Sequence, residues 1–434
     1  MKEVVLENYY EDLVISKLKK GVWLYFFLLI FEGALRKWVL PGFSESLLII
    51  RDPLAIWLLY MSFKYGVWKI NLYVFLIWEV SILALILTLI IGHGNLQVAI
   101  YGLRMTIIHF PLIFVIGNIF NKSDVLILGK IMLWLTIAMT LLVAVQFYSP
   151  QSAWVNRGVG GDLTGSGFSG AGGFFRVPGT FSFTNGLSLF YGLATAYIFY
   201  FWIGEDRRYV SKALLLVSSF ALLAAVPLSI SRTVLFEIAL SVVFMMAIIA
   251  RNPRIIKNII GVGLISIFLF LIMGNFSFIE EPIIAFTERF TSGNRTEGGL
   301  VEGVFIDRFL GGMYSAIVND KFPFWGMGLG MGTSVGANIL VGNSGAYLIA
   351  EEEWPRVVGE MGMVFGMMVI FIRIGVVLEF LQKGWRAINK NNILPWMLMS
   401  FGMFNILQGQ WSQPTTLGFS ILIGGLVMAS HNEE

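Results

Sequence analysis

Apolar runs about as long as a bilayer is thick recur from one end of this chain to the other, and they restrict its fold more than any other feature. A helix needs about 20 apolar residues to cross the hydrocarbon core, and such runs leave no remainder large enough for an ordinary soluble domain. Composition agrees: 57% of the 434 residues are apolar and 13% are charged. Soluble domains carry about 25% charged residues, so too few charges are present to wet the whole surface. The remaining apolar surface must face lipid. Helices are expected rather than barrel strands, because the runs do not alternate in polarity and an open sheet would leave backbone groups unpaired in lipid.

We therefore expect an all-α, polytopic transmembrane bundle of about twelve spans, forming a single integral membrane domain over 1–434. The spans are 21–40, 46–63, 71–91, 96–119, 125–147, 183–203, 211–228, 233–250, 258–274, 355–381, 393–411 and 414–430. The first twenty residues are polar and lack a signal-peptide pattern, so the first span is expected to stay as an anchor. Lys17, Lys19, Lys20, Lys64, Lys69, Lys122, Arg207, Arg208, Lys212, Arg251, Arg254, Lys257, Lys383, Arg386 and Lys390 fall in the N-terminal tail or in every second connection. That pattern places both termini in the cytoplasm. Two long segments then lie outside: a Gly- and aromatic-rich loop over 148–182 and a large extracytoplasmic loop over 275–354, with a helical stretch near 308–319.

Several function classes drop out early. The chain has no cysteine, which removes disulfides, iron–sulfur clusters and thiolate zinc sites. His93, His109 and His431 are too scattered to form a ligand motif, so no metal site and no cofactor are expected. A net charge of +3 gives no reason to expect a nucleic-acid partner.

Arginines on the outward side are the chemically informative residues. Arg176, Arg232 and Arg308 each sit in apolar or aromatic context at that face, where basic residues are disfavoured. A guanidinium grips phosphate in a fixed fork and stays charged, so three on one face suit a lipid diphosphate. The alternative is local pairing with carboxylates or snorkelling to headgroups. Arg104 has no partner nearby in sequence and is expected to line the same cavity. Glu351, Glu352 and Glu353 precede the tenth span, followed by Arg356 and Glu360. Two readings stand side by side for these acids: helix-start carboxylates favoured by the dipole, or a general base near an acceptor hydroxyl. Glu32 and Arg36, four apart, are expected to pair on one helix face. The glycine-rich stretches 158–173 and 326–330 lack the strand–turn–helix context of a nucleotide fingerprint and read as loops or turns.

Taken in order, three motifs resemble those of the bacterial O-antigen ligase and polymerase superfamily of polytopic membrane glycosyltransferases. Arg176-Val177-Pro178-Gly179-Thr180-Phe181 with Thr184-Asn185-Gly186 resembles the family's Arg-x-x-Gly-Thr-Phe-x-x-Pro-Asn. Ser231-Arg232 resembles its Ser-Arg at a helix end. Arg308, Asp320, Pro323 to Gly330 and Glu360-Met361-Gly362 resemble its large-loop Arg, Asp-x-Pro-x-x-Gly-x-Gly and Glu-x-Gly. One departure is clear: where the family carries a His-Asn pair, this chain has Glu351-Glu352.

The resemblance implies a metal-independent, inverting glycosyl transfer at the outer face of the bacterial inner membrane. The donor is a glycan on undecaprenyl diphosphate, and the acceptor is a sugar or a lipid-linked glycan. Arg176, Arg232, Arg308 and Arg104 would hold the diphosphate. Arg232 would act in catalysis with Glu351, Glu352 and Glu353, and Arg356 and Glu360 would face the acceptor. Polysaccharide polymerase is the favoured activity, with ligation to lipid A-core as the alternative and a transporter or flippase as the reading from another class. A chain-length regulator and a flippase are the protein partners this implies.

Overall fold

Each apolar run must satisfy its own backbone groups where no water is available, and the runs do so as helices. The computed structural model describes residues 2–170, 173–296, 311, 314, 322–343, 345 and 347–432. Its helices are α1 (Lys2–Ala34), α2 (Arg51–Lys64), α3 (Leu72–Ile90), α4 (Leu96–Arg104), α5 (Phe110–Ile119), α6 (Lys122–Tyr148), α7 (Thr184–Ile203), α8 (Lys212–Leu228), α9 (Arg232–Ile249), α10 (Ile256–Met273), α11 (Glu280–Thr296), α12 (Ser334–Val341), α13 (Glu353–Ile388), α14 (Leu394–Gln408) and α15 (Pro414–Ala429). A two-residue antiparallel hairpin, β1 (Phe168–Ser169) and β2 (Phe175–Arg176), pairs Phe168 with Arg176.

The chain is a helical membrane protein. Among the described residues, seven helices are long and apolar enough to cross a bilayer, and the bent pair Ile256–Ile272 and Ser277–Thr291 makes an eighth candidate. Each of the twelve expected segments lies on a helix, but α8, α14 and α15 have 17, 15 and 16 residues. These are shorter than the length of about 20 that covers the hydrocarbon core unaided. The first helix is longer than expected, because the polar N-terminal stretch continues helically into the apolar one.

Placement follows apolar exposure. Helix α7 is buried along almost its whole length and forms the centre of the bundle. Helices α3 and α10 turn Ile82, Ile86, Ile90, Leu264, Phe268 and Leu271 outward, as a lipid-facing surface requires. At one end of the bundle Lys19 pairs with Asp124, Lys122 with Asp206, and Arg251 bonds Asn389. At the other end lie the hairpin, the α8–α9 turn and the α14–α15 connection.

Helix α13 is broken at Gly362, whose φ of 79° and ψ of 170° suit glycine alone. Segment 323–330 fills the break. Met327 N–H donates to the Gly359 carbonyl at 2.7 Å, and Met363 N–H donates to the Phe324 carbonyl at 3.1 Å. Glycines 326 and 362 face each other there, and a methyl on Gly326 would lie 2.4 Å from the Gly362 nitrogen. The Gly326–Gly330 stretch thus forms tight turns, and the Glu-x-Gly motif is a helix joint.

Candidate active site: an arginine-lined cavity at one end of the bundle

Arg176 is placed by the backbone that follows it. Gly179 adopts φ 60° and is bonded on both sides by Gln146, whose Oε1 accepts from its N–H at 2.9 Å and whose Nε2 donates to its carbonyl at 3.2 Å. Lys37 Nζ donates to the same carbonyl at 2.6 Å. Thr180 Oγ1 donates to the Ile30 carbonyl at 2.7 Å, and Arg36 Nη1 donates to Ser182 Oγ at 3.0 Å. Gly33 permits this approach, since a methyl there would lie 2.4 Å from the Ser182 nitrogen. The C-terminal part of α1 and the π-helical turn Leu35–Val39 after it therefore clamp 179–182, with Arg176 before the clamp and Asn185, at the start of α7, after it. Arg36 also pairs with Glu32 at 3.6 Å, as the four-residue spacing led us to expect, and Glu32 accepts from Arg51 as well.

Arg232 is placed by a strained turn. Ile230, between α8 and α9, sits at φ 49° and is fully buried. A β-branched residue there costs about 1–3 kcal/mol and persists only where its surroundings impose it. Ser231 follows and its hydroxyl bonds Ser188 of α7 at 2.9 Å, which fixes Arg232 as the first residue of α9.

These two arginines meet at one cavity of about 660 Å³, which Arg289 of α11, Glu351, Tyr347, Asn185, Gln410 and Gln413 also line. Burial raises the Tyr347 phenol pKa, and the neighbouring Glu351 carboxylate raises it further. Among the described residues, three guanidiniums face one carboxylate here. Guanidiniums gathered at an open cavity suit an anionic ligand.

Other expected site residues lie elsewhere. Arg104 is not at the cavity: its Nη1 reaches both oxygens of Asp52 at 2.8 Å, and its Nη2 donates to Tyr101 at 2.9 Å. His109 Nε2 lies 2.9 Å from the same Asp52. Residues five apart on a regular α-helix lie about 140° apart around the axis. The π-helical turn Met105–His109 changes that phase and lets Arg104 and His109 share one carboxylate.

Glu353, Arg356 and Glu360 form a closed ionic group rather than an acceptor face. Glu353 accepts from Arg356 Nε and Nη2 at 2.9 Å each, from Arg373 Nη1 at 2.7 Å, and from Trp411 N–H at 3.1 Å. Arg356 Nη1 lies 2.7 Å from Glu360, which accepts from Gly332 N–H at 2.9 Å. Of the three consecutive acids, only Glu353 turns inward. Glu352 is the residue preceding α13 and makes no side-chain cap bond, and it does not line the cavity. Arg308 and Asp320 lie outside the described residues, as does the helical stretch near 308–319 except for residues 311 and 314.

Sequence reasoning missed Arg289, Tyr347, Gln410 and Gln413. A signal for the last two was present: Gln410-Trp411-Ser412-Gln413 is a polar break between two apolar helices. Among the described residues, no group of three or more His, Asp or Glu is arranged to hold a metal ion. Comparison with protein-family models, with curated proteins and with solved structures finds no match for this chain.

Proposed function

We propose that this protein is an inverting glycosyltransferase of the bacterial inner membrane, with its cavity on the outer face. It takes a glycan from undecaprenyl diphosphate and transfers it to a sugar hydroxyl, most directly as a polysaccharide polymerase. The observation that carries this reading is the convergence of Arg176, Arg232 and Arg289 with Glu351 on one cavity at a helix-end face. The basic residues Lys19, Lys122 and Arg251 gather at the opposite end, which supports a cytoplasmic assignment for that end.

The chemistry follows from charge. The acceptor hydroxyl attacks the anomeric carbon and its proton passes to the Glu351 carboxylate. The bond from that carbon to the diphosphate oxygen breaks, and the diphosphate leaves with the electron pair. Negative charge grows on the leaving group, where fixed guanidiniums stabilise it. The test uses protein in nanodiscs with lipid-diphosphate-linked oligosaccharide and no other acceptor, with and without a chelator. A chelator-insensitive ladder of longer glycans is the expected result. Transfer only when lipid A-core is added would make the protein a ligase, and no transfer in either case would sink the enzyme reading.

A further inference from the structure

One wall of the cavity is neutral and is built from amides in series. Asn185 Nδ2 donates to Gln413 Oε1 at 3.3 Å and to Thr416 Oγ1 at 3.0 Å. Gln413 Nε2 donates to Gln410 Oε1 at 2.7 Å, and Gln410 Nε2 donates to the Glu351 carbonyl at 2.9 Å. An amide offers two N–H donors and two acceptor sites. The contacts among the described residues use one donor and one acceptor site of each glutamine and no acceptor site of Asn185. The rest are available at a cavity wall, in fixed orientation.

The row is held by the buried ionic group. Glu353 accepts from Trp411 N–H, and Arg373 Nη2 donates to the Gly409 carbonyl at 3.2 Å. The Arg373 guanidinium also stacks on the Trp411 ring at 3.8 Å. Both glutamines flank Trp411, so a saturated, buried cluster presets their backbone. Phe168 and Phe183 line the same cavity, edge to face at 5.6 Å, and each is about half exposed.

We infer that Asn185, Gln413 and Gln410 form the saccharide-binding wall of the cavity, hydrogen-bonding sugar hydroxyls beside the arginine-held diphosphate. This rests on the diphosphate reading above. A hydroxyl both donates and accepts and can use the donors and the acceptor sites that remain, whereas ionised diphosphate oxygens only accept and leave the amide acceptor sites unused. The exposed aromatic faces, negative at their centres, suit the C–H face of a pyranose ring.

The test compares two probes on intact protein in nanodiscs by native mass spectrometry: undecaprenyl diphosphate, and the same lipid carrying a saccharide. Wild type is expected to bind the saccharide-linked lipid about tenfold more tightly, the sum of a few net hydrogen bonds. Gln413→Met and, separately, Gln410→Met should each erase most of that increment and leave binding of the bare lipid unchanged, which also shows that each variant is folded. An increment that survives both substitutions, or a wild type that binds the two lipids equally, overturns the inference alone. A wild type that binds neither lipid overturns the diphosphate reading and the inference with it.

Discussion

The Glu353–Arg356–Glu360–Arg373 group and the Arg176–Arg232–Arg289–Glu351 group are built from the same two residue types. In the first, two acids meet two bases, every member is 1–4% exposed, and the space beside them is about 20 Å³. In the second, among the described residues, three bases and one acid line a cavity of about 660 Å³. Matched charges with saturated hydrogen bonds close up and hold backbone, as Glu353 holds the 409–413 connection. Guanidiniums that line an open cavity can meet something that arrives from outside. Both groups contain motif residues, so residue type alone does not tell a scaffold from a binding site.

The largest effect should come from breaking the closed group. Glu353→Ala leaves Arg356 and Arg373 buried without their shared partner, and removing one member of a buried pair costs about 3–5 kcal/mol. Thermal melting in nanodiscs should drop sharply or yield no folded protein. Arg232→Ala acts on the other side of the comparison: glycan transfer should fall about a hundredfold or more, about 3 kcal/mol, with the melting temperature close to wild type. A melting loss equal to that of Glu353→Ala would place Arg232 in the scaffold. Glu351→Gln should slow transfer by about a hundredfold if its carboxylate takes the acceptor proton, and unchanged turnover would leave it as surface charge.

The clamp on 179–182 gives a smaller effect. Gly33→Ala drives a methyl against the 181–182 backbone and should cost about 1–3 kcal/mol, together with part of the activity, since it moves the clamp next to Arg176. The smallest effect is one of pH at the opposite end. Burial alone would raise the Asp206 pKa, but the Tyr200 hydrogen bond and Lys122 hold it below its ordinary value of 3.8. Its contribution is therefore present above about pH 4 and is lost as pH falls through that range. Asp206→Asn should flatten that part of the melting-temperature profile.

The helices were legible because lipid leaves apolar runs a single solution, and Arg176 and Arg232 were legible because each puts a charge into apolar or aromatic sequence at a helix end. Arg176 and Arg232 were found that way, and they do share a cavity. What stayed hidden depended on partners distant in sequence. Arg104 meets a carboxylate 52 residues away, and Glu353 meets Arg373 from farther along the same broken helix and Trp411 from the α14–α15 connection. No local pattern distinguishes Glu353 from Glu351, because which of three consecutive acids turns inward depends on where the helix starts. Arg289 was passed over because it lies on a helix inside a stretch read as loop.

In the proposed function Arg176 and Arg232 hold one diphosphate between them. A double-mutant cycle on undecaprenyl diphosphate binding tests it most directly, using wild type, Arg176→Ala, Arg232→Ala and the double variant in nanodiscs. Each single change should weaken binding at least about tenfold, and the double variant should lose less than the sum of the two free energies, because both act on one ligand. Wild-type affinity in either single variant, or strict additivity, would contradict it.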